Sequence, residues 1–295
     1  MCLANSPPHV LILVPDPVYP EPWAWAFHVE ADALRSGGFE VSARPWTAPG
    51  DLAPFDAVLP LVVWGYHERY LEWMALLEKL EASSARCINP PPLLRWNSDK
   101  AYLAELDAKG IPTVHTIAVD ALDEHALREA RDRFGCEHLV VKPPISASAT
   151  GTFRLDPNDP VPDEVAGRRM LIQPFMAAIA SQGEYSLMLF DGEFSHAILK
   201  TPKGGDFRVQ PHLGGTETPC AAPLGGIELA HAALAAAPAE AVYARVDMVA
   251  DEEGALRIME LELIEPALWL QHAPDGGGAF ASAVRRAVEQ PLAQG

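Results

Sequence analysis

Four charged residues near the C-terminus would come together if this part of the chain forms a β-hairpin. Arg245 and Asp247 lie in one apolar run, Glu260 and Glu262 lie in the next, and residues 251–254 between them are typical of a turn. Side chains alternate along a strand, so the members of each pair share a face. This turn predicts that Arg245 pairs with Glu260 and that all four side chains project from the same face.

Three of these side chains are acidic, which points to a metal site. Asp247, Glu260 and Glu262 would repel one another on a shared face unless cations lay between them. Hard oxygen ligands suit Mg²⁺, which readily shares its coordination with phosphate groups. The same pattern also fits the solvated polar face of an amphipathic hairpin, and a one-residue register slip would separate the pairs. The opposite face is predicted to enter the core with these residues: Val246, Met248, Met259, Leu261 and Leu263.

Two lysines and a loop of small residues are candidates for binding a polyphosphate. Lys142 ends an apolar strand, and the loop 146–152, of sequence SASATGT, follows shortly after it. Backbone N–H groups of such a loop, with a lysine beneath it, suit phosphate oxygens. Lys100 stands at the start of a predicted helix, where a basic residue is unfavourable, which indicates a bound anion. Taken singly, these features are better explained as a solvated lysine and a mobile linker; their order in the chain favours the phosphate site.

The N-terminal segment alternates strand and helix patterns, which is typical of a parallel sheet flanked by helices. Strands are predicted at 9–14, 39–42 and 56–63, and helices at 25–36 and 70–80. The pattern predicts a small Rossmann-like domain. The chain contains neither G-x-G-x-x-G nor G-x-x-x-x-G-K-[ST], so neither a dinucleotide site nor a Walker-type phosphate loop is indicated.

The remaining chain is predicted to form two further units. The prolines at 90–92 indicate a stiff break, and Asn97 and Ser98 offer N-caps for a helix at 99–109. We therefore divide the chain into residues 1–95, 96–174 and 175–295. The later predicted elements are strands at 111–119, 139–143 and 170–175, a helix at 123–134, and hairpins at 184–198 and 242–263.

The composition argues against several classes of function. The 295 residues include 22 basic and 40 acidic ones, and the resulting net charge of −18 disfavours binding to nucleic acids and membrane surfaces. No apolar run is long enough to span a membrane, and no signal peptide is evident. The four cysteines are widely spaced, which favours neither a zinc site nor a disulfide framework. We therefore expect a reduced, cytoplasmic setting.

The order of these features resembles the ATP-grasp superfamily, in particular the carboxylate–amine ligases of the glutathione synthetase and RimK-like type. The resemblance covers residues 97–266, and the N-terminal segment is similar to the pre-ATP-grasp domain of these enzymes. The matching motifs are the helix start at 98–100, VVKP at 140–143, the loop 146–152, IQPF at 172–175, GEYS at 183–186, DFRVQ at 206–210 with the glycines at 214 and 215, ARVD at 244–247 and ELELIEP at 260–266.

The resemblance implies a fold, cofactors and residue roles. The fold would be α/β with α+β elements, an ATP-grasp fold behind a Rossmann-like pre-ATP-grasp domain, and the cofactors would be ATP and two Mg²⁺ ions. The implied metal ligands are Asp247, Glu260 and Glu262. The implied catalytic residues are Lys200, Arg208 and Arg245. The implied nucleotide-binding residues are Lys100, Lys142, Ser146, Ser148, Gly151, Gln173, Pro174, Phe175 and Glu184.

The implied reaction joins a small-molecule carboxylate to an amine. ATP would convert the carboxylate into an acyl phosphate, and ADP and phosphate would be released. The stretches EYS and ELELIEP resemble the branch of cycloserine-forming ligases, in which the amine belongs to the same molecule. A non-catalytic nucleotide-binding ATP-grasp protein and a metal-dependent hydrolase remain alternative interpretations, and a homodimer stays open.

Two positions depart from the pattern of the resemblance, and a third fits it only under a condition. Glu262 stands where relatives often carry a metal-binding Asn, and Phe175 replaces the more usual acidic residue. A simple two-residue turn at 191–192 would place Lys200 on the face opposite Glu184, so its role requires a bulge in the hairpin.

Two aromatic loops, at 15–23 and 63–67, follow predicted parallel strands, where ligands usually bind. Residues 269–272 are predicted to close this pocket. Packing around a proline-rich loop explains the aromatic residues slightly better than substrate contact. The candidates for substrate contact are Tyr19, Trp23, Tyr66, His67 and Glu68.

Overall fold

The computed structural model describes residues 6–147, 149–203, 209 and 214–290, whose strands form three sheets. This mixture of strands and helices confirms the predicted α/β class. The strands are β1 (His9–Val14), β2 (Glu40–Pro45), β3 (Ala57–Leu59), β4 (Arg86–Cys87), β5 (Ile117–Val119), β6 (Leu139–Lys142), β7 (Phe153–Leu155), β8 (Met170–Pro174), β9 (Glu184–Phe190), β10 (Glu193–Thr201), β11 (Thr216–Cys220), β12 (Tyr243–Ala250) and β13 (Leu256–Glu262). The helices are α1 (Ala24–Ser36), α2 (Tyr70–Glu81), α3 (Pro91–Asn97), α4 (Tyr102–Ala108), α5 (Glu124–Phe134), α6 (Ile179–Gln182), α7 (Gly226–Ala235) and α8 (Gly278–Glu289), with a 3₁₀ turn at Leu270–His272.

The N-terminal sheet is parallel, in the order β2-β1-β3-β4, as the strand–helix alternation predicts. Strand β1 is buried on both faces, which explains its unbroken apolar sequence. Ile12 packs on the side of α1, and Leu13 packs on the side of α2 with Trp73. The strand predicted at 56–63 is shorter, because pairing covers only Ala57–Leu59.

The second sheet is antiparallel, in the order β5-β8-β6-β7, and helix α5 covers it. The helix starts where the Asp123 side chain accepts a hydrogen bond from Ala126 N at 2.8 Å, and it ends at Gly135 in a left-handed conformation. Leu127 and Ala130 point from the helix into the core between the two layers. This sheet carries Lys142 at the end of β6.

The third sheet is antiparallel, in the order β11-β10-β9-β12-β13. One face packs on α7 through an apolar cluster that includes Leu187, Val246 and Ala230. On the other face, part of the surface packs against α1 and α8, and the rest carries charged side chains. Strand β12, which lies between β9 and β13, is buried along its whole length, so the charged residues within it are buried too.

The three prolines at 90–92 do not form a break, which corrects the sequence prediction. Pro90 is the N-cap of helix α3 and the next two prolines open its first turn, where the missing N–H groups need no partner. Asn97 does not cap a following helix. It donates from Nδ2 to Leu261 O at 2.8 Å and accepts from Leu263 N at 3.1 Å, so it holds strand β13 in place. Helix α4 begins later, at Tyr102.

The division at 95 and 174 stays a prediction. None of the helices in the described part of the chain combines the length and the apolar character that crossing a bilayer demands.

Candidate active site

The register of the C-terminal hairpin differs from the predicted one, but its four charged side chains still share a face. Arg245 pairs with Glu262 and Asp247 pairs with Glu260, so the predicted pairing of Arg245 with Glu260 is wrong. The turn shifts the pairing by one residue, because Ala250 pairs with Leu256. A bulge beyond Met248 adds a second shift, and two one-residue shifts restore the original face.

The bulge also changes the environment of Met259, which was predicted to lie in the same core as Val246. Met259 packs instead beside Val249, Val114 and Ile179, in a separate apolar cluster next to the charged face. The bulged residue is released from the alternation of the ladder, so the period-two pattern fails at this position.

A bulge in the hairpin of β9 and β10 settles the position of Lys200. The register shifts between Phe194 and His196, and Lys200 then pairs with Glu184. Lys200 Nζ contacts Glu184 Oε1, and it lies 2.8 Å from Asp247 Oδ2. The bulge that the sequence analysis required for Lys200 to share a face with Glu184 is therefore present.

Asp247 is the centre of the charged face, and both of its carboxylate oxygens are engaged. Arg245 donates from Nε to Oδ1 at 3.0 Å and from Nη2 to Oδ2 at 2.9 Å. Lys200 donates to Oδ2, and Ser186 Oγ donates to Oδ1 at 2.6 Å. Burial alone would raise the pKa of Asp247, but the charges and hydrogen bonds of Arg245 and Lys200 hold that pKa well below its ordinary value.

The other carboxylates of this face are also matched by basic groups. Lys100 Nζ lies 3.0 Å from Glu260 Oε1, and Arg245 Nη2 contacts Glu262 Oε1. The pKa of Glu262 is raised to about 7, mainly by burial; Arg245 opposes the rise, and the charges of Asp247 and Glu260 add to it. The face therefore carries buried ionisable groups of both signs in direct contact, which is typical of sites that bind charged ligands.

The second lysine and the small-residue loop lie next to this face. Lys100 donates from Nζ to Ser146 O and from its backbone N–H to Pro144 O at 2.8 Å. Lys142 is buried, and burial lowers its pKa to about 8; the charge of Glu260 opposes this effect and that of Lys100 adds to it. The structure thus brings Lys100, Lys142 and the start of the loop to the carboxylates.

Gly151 fits its position in the loop for a steric reason. Its φ is +71°, and a Cβ there would lie 2.9 Å from Pro143 Cγ. Two predicted site residues lie outside the described residues. They are Ser148, predicted to bind the nucleotide, and Arg208, predicted to be catalytic.

The predicted adenine-binding segment has its own partners. Gln173 Nε2 donates to Thr116 Oγ1 at 2.8 Å, Pro174 pairs with Leu139, and Phe175 N donates to His138 O at 2.9 Å. The Arg154 guanidinium lies 4.2 Å from the centre of the Phe175 ring. The role of these residues in adenine binding stays a prediction.

Comparison with known proteins decides the family. The chain is 32% identical over 275 residues to the cycloserine biosynthesis protein DcsG of Streptomyces lavendulae, covering 86% of this chain and 90% of that protein. The profile for the N-terminal domain of D-cycloserine synthetase DcsG matches residues 16–89.

The chain belongs to the DcsG family of ATP-grasp ligases.

Solved structures agree with this family. A crystal structure of D-cycloserine synthetase DcsG superposes with a TM-score of 0.82 at 29% identity, covering 95% of this chain and all of that chain. The ATP-grasp ligase PsnB, solved with a minimal precursor, Mg and ADP, shows the same fold with a TM-score of 0.66 at 15% identity, covering 96% of this chain and 98% of that chain. The suspected resemblance and fold are therefore confirmed, and the chain is an ATP-dependent carboxylate–amine ligase.

ATP-grasp ligases use ATP and Mg²⁺, and the carboxylates of this DcsG-family chain fit Mg²⁺ by their chemistry. Glu260 and Glu262 offer hard oxygen ligands, and the raised pKa of Glu262 indicates a need for positive charge nearby. As the side chains stand, however, the described residues contain no group of three or more His, Cys, Asp or Glu arranged around a metal position. The contacts explain why: Lys100, Arg245 and Lys200 occupy the carboxylate oxygens.

Several site residues of this DcsG-family chain had no clear signal in the sequence. Ser186 lies opposite Asp247 on β9, and it belongs to a motif of the resemblance without an assigned role. Asn89 donates from Nδ2 to Tyr243 O and Leu263 O, both at 2.9 Å, and so fixes the ends of β12 and β13. The period-two pattern of the strands identifies Ser186 in retrospect, whereas Asn89 acts across more than 150 residues of chain.

Proposed function

We propose that this ligase phosphorylates the carboxylate of a small amino acid with ATP and then closes the acyl phosphate on an amine of the same molecule, releasing ADP and phosphate. The observation that carries the proposal is the charged face on β9, β10, β12 and β13, where carboxylates and basic groups lie in alternating contact. Membership of the DcsG family supports the intramolecular form of the reaction, because its named members are cycloserine synthetases.

The proposal assigns the nucleotide to the region between the end of β6 and the charged face, where Lys100 and Lys142 lie. Lys100 and Lys142 bind phosphate oxygens, and the loop that begins at Ser146, with Ser148 and Gly151, covers them. The segment of Gln173, Pro174 and Phe175 meets the adenine through its backbone, and Glu184 binds the ribose. The tight contact between Lys100 and Ser146 O supports a loop that responds to what the lysine binds.

The proposal assigns two Mg²⁺ ions to Asp247, Glu260 and Glu262. When bound, the ions supply positive charge that neutralises the phosphates and holds the transferring group in line. Since Asp247 already accepts from Arg245, Lys200 and Ser186, it has the strongest competing partners of the three carboxylates. Within the described part of the chain, Glu260 and Glu262 each show a single basic contact, so they are the proposed ligands that exchange most easily.

The basic groups of the face then have a clear task. Arg245 and Lys200, together with Arg208, stabilise negative charge on the transferring phosphoryl group and on the carboxylate that receives it. Asp247 positions Arg245 through a bidentate contact, which fixes the plane of the guanidinium. An acyl phosphate hydrolyses readily, so the loop over the phosphates must exclude water.

The second half of the reaction forms the ring. The carboxylate oxygen forms a bond to the γ-phosphorus as ADP leaves; the amine nitrogen then forms a bond to the carbonyl carbon as phosphate leaves, and it loses one proton to solvent. Opening the corresponding amide bond of cycloserine gives 2-amino-3-(aminooxy)propanoate, whose terminal amine can reach its own carboxyl carbon. This compound is the first substrate to test.

The test measures ADP release and product mass with Mg²⁺, ATP and 2-amino-3-(aminooxy)propanoate in both enantiomers. We expect ADP release that depends on the compound and a product lighter than it by one water. Glu260→Gln and Asp247→Asn should lower turnover by about 10²–10³-fold without loss of the fold, because charge stabilisation at the phosphates is weakened. A product heavier by one phosphoryl group would indicate a kinase, and near-wild-type ADP release by both variants would refute the metal assignment.

A further inference from the structure

A narrow cleft lies between the N-terminal sheet and the segment that follows the acidic hairpin. Its volume is about 400 Å³ including the solvent at its mouth, and its walls include Trp25, Glu30, Trp64, Glu265 and Trp269. The cleft is at the carboxyl ends of β1 and β3, where parallel sheets usually bind ligands. The sequence offered other side chains of this region as candidates for substrate contact, with packing as the slightly better explanation. These candidates do not line the cleft: Tyr19, Trp23, Tyr66, His67 and Glu68.

Glu30 is the residue in this cleft that the fold does not explain. It lies on the inner side of α1 with Ala26, Ala33 and Leu34, and only 4% of it is exposed. Its Oε2 atom is buried without a hydrogen-bond partner in the described part of the chain. A buried carboxyl without a partner costs stability, so an apolar residue would serve the fold better here.

Glu265 is a second carboxyl in the same cleft, partly buried and three residues after Glu262. Burial, with a smaller contribution from the charge of Glu262, raises the pKa of Glu265 to about 8. Burial also raises the pKa of Glu30 well above its ordinary value, with a contribution from Glu265. The two carboxyls therefore act on one another, and a cation between them would relieve both their repulsion and their desolvation.

The aromatic walls of the cleft also suit a cation. The rings of Trp25 and Trp64 lie 5.7 Å apart at a tilt, and Trp25 is 57% exposed. Indole faces attract ammonium groups more strongly than other aromatic side chains do. The described wall residues are mostly apolar and aromatic, and Glu30 and Glu265 are the two acidic groups among them. Such a lining matches an organic cation better than a hydrated metal ion.

Trp269 connects the cleft to the charged face. Its ring lines the cleft on one side, and the Arg245 guanidinium lies 5.1 Å from the ring centre. Its indole N–H donates to Glu217 Oε2 at 2.8 Å, and its backbone holds a left-handed conformation with φ of 42°. Such a conformation is unfavourable for a bulky residue and is usually maintained by surrounding contacts at functional sites.

We propose that Glu30 and Glu265 form the subsite for the ammonium group of the amino-acid substrate. The substrate then lies beside Trp269, with its ammonium between the two carboxyls and its neighbouring carboxylate on the side of Arg245. This inference rests on the proposed function, because it states which group of the amino-acid substrate the enzyme recognises. Both carboxyls lose their protons when the ammonium group binds between them. Replacing either one with an amide should therefore weaken binding of the amino acid and leave nucleotide binding unchanged.

The test compares two compounds that differ only in the ammonium group. They are 2-amino-3-(aminooxy)propanoate and 3-(aminooxy)propanoate, each used with wild type, Glu30→Gln, Glu265→Gln and the control Asp32→Asn. Asp32 lies on α1 with its side chain 70% exposed, paired with Arg35. We expect Glu30→Gln to raise KM for the first compound by at least about 30-fold and to leave KM for ATP unchanged. KM for the second compound should change little or not at all.

Equal losses on both compounds, or no loss on the first, would overturn the subsite. Glu265→Gln provides a second variant in case Glu30→Gln fails to fold. Calorimetric titration of the first compound into the protein with ADP and Mg²⁺ separates the two proposals, because it requires no turnover. Binding that depends on Glu30 without any ADP release in the assay would reject the cyclisation and keep the subsite; absence of binding to wild type would reject the subsite.

Discussion

The side chains of this site neutralise one another, and that balance explains how an acidic protein can bind a nucleotide. Asp247, Glu260 and Glu262 contact Arg245, Lys100 and Lys200 in a face that is largely buried. Each contact repays part of the desolvation cost of the other group. A nucleotide that arrives with Mg²⁺ offers its phosphates to the basic side chains and the metal to the carboxylates. Each charged side chain can therefore change partners without being left unpaired.

Glu265 gives a testable pH dependence. Its pKa, raised by burial to about 8, lies above the unfolded value, so the native state holds a proton that the unfolded state has lost. Stability therefore falls as pH rises from about 5 to 8, with a slope of up to about 1.4 kcal/mol per pH unit from this group. Glu265→Gln should flatten this slope, as measured by urea unfolding at pH 5.5, 6.5 and 7.5 with EDTA and without nucleotide. An unchanged slope in the variant would contradict the shifted pKa.

At the scale of elements, two bulges place the charged side chains. Without the shift between Phe194 and His196, Lys200 would pair with the residue before Glu184 and point away from Asp247. The shift beyond Met248 brings Glu260 opposite Asp247 in the same way. In both hairpins the turn and the bulge together decide which face a side chain occupies.

The loop over the lysines makes a second prediction. Gly151→Ala adds a Cβ where φ is +71° and Pro143 is too close, so the loop must shift. We expect KM for ATP to rise about fivefold. Gly135→Ala is the matched control, since Gly135 also has a positive φ but has open space around its Cβ position. The control should cost about 1 kcal/mol of stability with no change in KM for ATP. If both variants change KM equally, the loop has no special role in nucleotide binding.

At the scale of the whole molecule, the net charge of −18 sets the background for ligand binding. A protein of this charge repels nucleotides at long range, and salt screens that repulsion beyond about 10 Å. In the proposed site, the local basic groups that oppose this repulsion are Lys100, Lys142, Lys200 and Arg245, together with the accompanying Mg²⁺.

The dependence on Mg²⁺ can be measured as ligand-linked stability. ADP with Mg²⁺ at about 100 times its dissociation constant should stabilise the protein by about 2.7 kcal/mol and raise Tm by about 5 °C. ADP with EDTA should raise Tm much less, because the phosphates then face the carboxylates without metal. Glu260→Gln should lose most of the Mg²⁺-dependent part. Equal shifts with Mg²⁺ and with EDTA would contradict the proposed metal site.

The sequence by itself determined the parallel N-terminal sheet, the paired hairpins and the common face of Arg245, Asp247, Glu260 and Glu262. These follow from local regularities: continuous apolar runs, turn residues and the alternation of side chains along a strand. The order of short motifs was enough to identify the superfamily, because the order survives even where each motif is weak.

Only the tertiary structure decided the register of the hairpins, the role of the prolines before α3 and the burial of Glu30. Glu30 lies on a helix with an ordinary mixture of alanines and polar residues. Its Oε2 atom is buried without a partner among the described residues, in a cleft whose other wall, with Glu265 and Trp269, comes from the far end of the chain. Register depends on bulges that local pattern does not specify, and burial depends on contacts between segments more than 200 residues apart. The charges were visible in the sequence; which of them face one another was set by packing.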